Sequence, residues 1–196
     1  NNNEVIFGSV QSAFAVGGLV GGLVMSVWGG PKRRIHGLLL GLAATGIPLY
    51  FLGVGQTLPV WLIAAFSMTA IIPMLNGSSQ AIWQAKVPPD VQGRVFATRR
   101  LIAMLVSPFA RLIAGPLADN VFEPAMQSSG TLAPLFGDLV GTGSGAGIGL
   151  MHVICSVFAL AVPLGGYLIP IIRNVEDILL DHDTVSVTIP EPVPAD

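Results

Sequence analysis

Charge is what this sequence has least of: among 196 residues, 9 are Lys or Arg and 11 are Asp or Glu, 10% in all. A soluble domain carries about 25% charged residues because its surface must be solvated, so an ordinary soluble enzyme is excluded. Disorder over the whole chain needs low hydrophobicity and high charge, and a nucleic-acid module needs a basic face against phosphate; both are excluded as well. Cysteine is scarcer still. The single Cys155 has no internal partner, so it fixes no redox compartment, and within its apolar run it reads as a small hydrophobe.

Chemistry-bearing clusters are also lacking. His36, His152 and His182 lie far apart without Cys or carboxylate companions at ligand spacing, so no metal site is expected. No nucleophile, base and orienting group come together, so neither an enzyme nor a cofactor is expected. The run from Gly141 to Ala146 satisfies the dinucleotide-binding spacing of glycines, but no strand precedes it. It reads as a flexible lead-in to the apolar segment that follows.

What is abundant is apolar: 52% of residues are hydrophobic, with 24 glycines and a mean hydropathy of +0.73. A helix needs about 20 mostly apolar residues to cross a hydrocarbon core of about 30 Å. Five runs of that kind stand out, at residues 7–28, 35–54, 58–82, 95–118 and 148–172. The fold class expected is an all-α membrane protein. Only Gly55, Gln56 and Thr57 join the second and third spans, which predicts an antiparallel helical hairpin. Residues 1–173 form the membrane portion, and the acidic, proline-bearing stretch 174–196 reads as a disordered cytoplasmic tail.

The few basic residues are sorted. Lys32, Arg33 and Arg34 fall between spans one and two, Lys86, Arg94, Arg99 and Arg100 between or beside spans three and four, and Arg173 after span five. Basic residues collect on the cytoplasmic side, so the chain is expected to start outside and end inside, in a plasma (inner) membrane. The segment from Asp119 to Gly147 then lies outside, with Asp119, Glu123 and Asp138 and no basic residue. An odd number of spans, an exterior start and an opening Asn-Asn-Asn-Glu without Met together suggest the tail of a longer chain.

Three features inside the spans carry functional interest. Gly17, Gly18, Gly21 and Gly22 form two overlapping small-xxx-small pairs in span one, joined by Gly37 and Gly41 in span two; such pairs let helix backbones approach closely, in static contact or in a sliding one. Asn76, Gln80 and Gln84 recur every four residues in span three and so share one helix face, either for interhelical hydrogen bonding or as the lining of a substrate pathway. Pro48, Pro73 and Pro108 mark expected kinks. Arg111 lies within span four, where a cation is costly; it either snorkels to the headgroups or faces a cavity.

Two inside loops resemble the major facilitator superfamily, and more closely its macrolide-efflux and multidrug proton-antiporter branch. Gly22-Leu23 followed by Gly29-Gly30-Pro31-Lys32-Arg33-Arg34 is similar to the second copy of the superfamily's signature loop. Val87-Pro88-Pro89-Asp90-Val91-Gln92-Gly93-Arg94-Val95-Phe96 is similar to the branch's loop between its tenth and eleventh helices. Gly115-Pro116-Leu117-Ala118-Asp119 and the stretch from Gly141 to Gly149 add to the likeness. Where the signature has an acidic residue, counted from Gly22, this chain has Ser26. The resemblance implies that the spans are helices eight to twelve of twelve, in a protein whose two halves rock about a midplane site.

On that basis the expected function is the C-terminal portion of a secondary active, proton-coupled efflux transporter. Asn76, Gln80, Gln84 and Arg111 would line the pathway, and Lys32, Arg33, Arg34 and Arg94 would form an inner gate. Its partners would be the lipid bilayer, a small-molecule substrate, protons and the N-terminal half of the same transporter. The rival reading is a structural or assembly subunit that transports nothing, with a channel as a lesser rival.

Overall fold

The computed structural model describes residues 2–178; residues 179–196 of the expected tail lie outside the described residues. The chain runs through α1 (Asn2–Trp28), α2 (Arg34–Val54), α3 (Leu58–Lys86) and α4 (Pro89–Leu117), then a π-helical turn at Ala118–Phe122. It continues through α5 (Glu123–Ala125), α6 (Ala133–Val140), α7 (Ala146–Leu168), α8 (Pro170–Arg173) and α9 (Val175–Ile178). Among the described residues, five helical segments are long and apolar enough to cross a membrane: Glu4–Trp28, Arg34–Val54, Leu58–Lys86, Pro89–Ala125 and Ala146–Leu168. The all-α membrane fold expected from the sequence is the fold observed.

Several limits differ from the expected spans: α1 begins at Asn2 rather than Phe7 and α3 runs on to Lys86 rather than Ile82, and two further limits have a backbone reason. The fourth helix begins at Pro89 rather than near Val95, because a proline at the first helical position loses no hydrogen bond and presets the helical φ. The fifth ends at Leu168 rather than Ile172. Ile169 turns extended, with φ −86° and ψ 111°, as a residue before proline tends to do, and Pro170 opens α8. Within the spans, α2, α3 and α4 each continue through Pro48, Pro73 and Pro108 as single helices.

The helices that pack along their length do so in the spatial order α1, α3, α2, α7. In lipid no hydrophobic drive holds helices together, so contact depends on backbones coming close, and glycine makes the room. A methyl group built on Gly17 would collide with the carbonyl oxygen of Phe66, and one on Gly21 would lie 2.7 Å from the Cα of Ala70. Gly18 and Gly22 lie beside this contact: the nearest atom to a Gly18 methyl is Thr69 Cβ at 4.0 Å, and a Gly22 methyl meets nothing within 4 Å. Thr69 ties the same pair, its hydroxyl donating to the Phe14 carbonyl at 2.7 Å.

Helix α2 is the middle member and uses glycine on two sides. Gly41 faces Met74 and Leu75 of α3, whereas Gly46 faces Ser156 and Leu160 of α7, and Gly53 meets the Gly149 carbonyl. At that last end sits a compact apolar cluster of Met126, Val140, Ala146, Leu150 and Val153, flanked by Tyr50, Val54 and Phe136. The segment between α4 and α7 therefore folds back as a cap on the ends of α2 and α7.

Because consecutive spans alternate in direction, Lys32, Arg33, Arg34, Lys86, Arg94, Arg99, Arg100 and Arg173 all fall in the half of the bundle opposite this cap. Helix α4 stands apart. Among the described residues it packs along none of the other spans, and every residue from Leu101 to Leu117 is exposed.

The glycine contact predicts a position-specific outcome. Gly21→Ala should cost about 1–3 kcal/mol through overpacking, and Gly22→Ala should stay within about 0.5 kcal/mol. Thermal unfolding midpoints of the two variants in the same detergent decide it; equal losses would reject the α1–α3 contact.

Candidate substrate pathway and inner basic cluster

Helix α3 separates its polar residues by face. Asn76, Gln80 and Gln84 are exposed, and among the described residues none of their side-chain amides meets a hydrogen-bond partner. Ser78, two residues beyond Asn76, lies on nearly the opposite side and is buried, its Oγ close to where a Gly37 side chain would stand. The amide stripe thus points away from α2 rather than into it. Unpaired amides are costly in hydrocarbon, so this face suits water or further helices better than lipid tails.

The stripe continues into aromatic and cationic groups at the basic end. Arg99 of α4 donates from Nη2 to Ser79 Oγ at 3.1 Å and places its guanidinium carbon 4.4 Å from the centroid of the Trp83 ring. Gln92 closes the turn between the helices, its Nε2 donating to the Val87 carbonyl at 2.8 Å and the Gln84 carbonyl at 3.1 Å. Arg94 lies next to this group, on the wall of a cavity shared with Trp83, Val95, Thr98 and Arg99. Arg111 is exposed on α4, three turns beyond Arg99 or about 18 Å along the axis.

The sequence-predicted gate residues do not form one cluster. Arg33 and Arg34 come together with residues the sequence reading did not select. Arg33 Nη1 lies 3.4 Å from Asp177 Oδ2, an ion pair with both side chains more than half exposed. The backbone N–H of Arg34 donates to Glu176 Oε1 at 3.0 Å, and its Nη1 donates to the Ala81 carbonyl at 2.8 Å. Lys86 Nζ donates to the Glu176 carbonyl at 2.9 Å. Lys32 is exposed beside them, whereas Arg94 belongs to the separate group around Trp83.

Described residues of the expected tail therefore have a place: α9 returns to the ends of α2 and α3. The sequence signal was the acidic pair Glu176 and Asp177 just after a basic span end, but nothing in local pattern says which basic loop such a pair will meet. The glycine-rich lead-in is likewise held. Gly141, Gly143 and Gly145 adopt positive φ of 83°, 100° and 90°, conformations that glycine alone takes readily. The Glu123 carboxylate accepts the Gly145 N–H and, at 3.1 Å, the Gly147 N–H, a negative charge at the positive end of α7.

Long apolar helices, a polar face on α3 and a sorted basic end define a polytopic membrane protein. Distant homologues agree with that class. The chain is 27% identical over 126 residues to macrolide efflux protein A of Streptococcus pyogenes, a match covering 62% of this chain and 30% of that protein. It is 28% identical over 113 residues to macrolide efflux protein A of Enterococcus faecalis, covering 55% and 34% respectively. It is also 28% identical over 122 residues to multidrug efflux pump Tap of Mycolicibacterium fortuitum, covering 60% and 29%. The chain thus matches about a third of the length of these curated relatives, which are efflux proteins rather than enzymes. No protein-family model and no solved structure matches it.

A double-mutant cycle tests the α3–α4 link. Combining Arg99→Gln with Trp83→Leu should reveal a coupling of about 0.5–2 kcal/mol in denaturant unfolding. Strictly additive losses would show that the two side chains do not interact.

Proposed function

We infer that this chain is the C-terminal portion of a secondary active efflux transporter that moves small molecules by alternating access, with proton coupling. The observation that carries this reading is α4. It bears Arg94, Arg99, Arg100 and Arg111 yet leaves every residue from Leu101 to Leu117 exposed. Arg111 is the one cation within that exposed stretch, and a cation at that depth is costly in lipid, so the natural neighbours of this face are further helices around a wet cavity. In this proposal those neighbours come from the N-terminal half of the same transporter.

Asn76, Gln80, Gln84 and Arg111 then line the substrate pathway, and the basic end forms the inward gate, with the chain's start outside and its end in the cytoplasm. Distant homology to macrolide efflux protein A and to Tap supports efflux as the direction of transport. No Asp or Glu lies in the apolar stretches of α1, α2, α3 or α7, apart from Glu4 at the very start of α1. A coupling carboxylate at mid-membrane therefore belongs, in this reading, to the other half. An ion drives such a cycle only by binding one access state more tightly than the other.

Thiol labelling distinguishes this from a static subunit. In the complete transporter with Cys155→Ser, single Asn76→Cys, Gln80→Cys and Arg111→Cys variants should react with a membrane-impermeant maleimide, at rates that change with substrate. Protection of all three in every condition would sink the pathway assignment. Dye efflux by the complete transporter should stop when a protonophore collapses the proton gradient; unaltered efflux would remove proton coupling from the proposal.

A further inference from the structure

The basic end holds a cavity of about 220 Å³ between the start of α2 and the end of α3, lined by Lys32, Arg34, Ile82, Ala85, Lys86 and Glu176. Three cations face one carboxylate, so the lining carries an excess of positive charge. The fold itself shows what such a wall accepts: Glu176 Oε1 already takes the Arg34 N–H at the first turn of α2, where the helix dipole favours an anion. Arg34 is anchored by Nη1 on the Ala81 carbonyl, and Lys86 by Nζ on the Glu176 carbonyl, so both cations are positioned rather than loose.

Depth selects the kind of anion. Arg34 and Lys86 are the terminal residues of two membrane-length helices, which sets the cavity at the level of lipid headgroups. Ile82, one turn inward from Lys86, and Ala85 give it an apolar margin toward the hydrocarbon. Basic pockets between transmembrane helices at this level suit anionic headgroups.

We propose that this cavity binds the phosphate group of an anionic phospholipid, with Lys32, Arg34 and Lys86 supplying the positive charge and Glu176 opposing it. Glu176 sets the affinity through like-charge repulsion, so the acidic return segment competes with the lipid for the same cations. The site shares Lys32 and Arg34 with the proposed inward gate, but none of Asn76, Gln80, Gln84 or Arg111 lines it, and lipid binding does not depend on the efflux reading.

The test compares the full chain in nanodiscs of phosphatidylcholine containing a minor fraction of phosphatidylglycerol, scored by native mass spectrometry of retained lipid. Wild type should retain phosphatidylglycerol in preference to phosphatidylcholine. Lys32→Gln, which removes an exposed cation without breaking an anchoring bond, should weaken that preference about fivefold. Glu176→Gln should strengthen it, by a similar factor. Millimolar inorganic phosphate added to detergent-solubilised protein separates the sources: failure to displace the lipid supports a lipid site, and displacement at low millimolar concentration overturns it in favour of free phosphate. Equal retention of the two lipids, or a preference unchanged by Lys32→Gln, overturns the proposal. Weaker retention in Glu176→Gln with helicity intact overturns the competing role of that carboxylate.

Discussion

The close approach of helix backbones at glycine holds the described bundle together. Within a bilayer the lipid tails are as apolar as leucine, so spans gain little from hiding apolar side chains against each other. What they gain is contact between surfaces that fit. Gly17 and Gly21 bring α1 onto the main chain of α3, and Gly46, Gly53 and Gly149 bring α2 onto α7. With α2 between α3 and α7, these contacts form a connected row. The amide face of α3, the basic end and the apolar cap all take their positions from that row.

Helix α4 is the counterexample that gives the row its meaning. A methyl group built on its Gly93 or Gly115 would meet none of the described residues within 4 Å, and it joins α3 at its basic end through Arg99 and Gln92. One helix is thus held by polar side chains at an end, while its neighbours are held along their length by main-chain contact. Such an attachment leaves the long face of α4 available to other helices.

Much of this was legible in the sequence because the membrane imposes simple lengths. Apolar runs of about 20 residues marked the spans, and the sorting of Lys and Arg marked a common end. The period of four marked the shared face of Asn76, Gln80 and Gln84. Which of the four span-one glycines touches a neighbour was not legible, since Gly21 and Gly22 differ only in the direction they face relative to α3. The meeting of Glu176 and Asp177 with Arg34 and Arg33 was hidden for a different reason: it joins segments more than 140 residues apart, and no local period encodes that. Pro170 was visible in the sequence, but its consequence for the end of span five depends on Ile169 leaving the helix, a boundary that hydropathy does not register.

That break acts as a length gauge. Had the helix continued unbroken from Leu168, its 1.5 Å rise per residue would have carried Asp177 about 13 Å farther along the axis, into the aqueous phase and away from α2. Turning at Ile169 instead converts axial travel into lateral travel, and the acidic pair arrives over Arg33 and Arg34. The extended turn at Ile169 thereby decides whether Glu176 and Asp177 stand as a counter-charge in solvent or fold back as an anion tethered to the basic end.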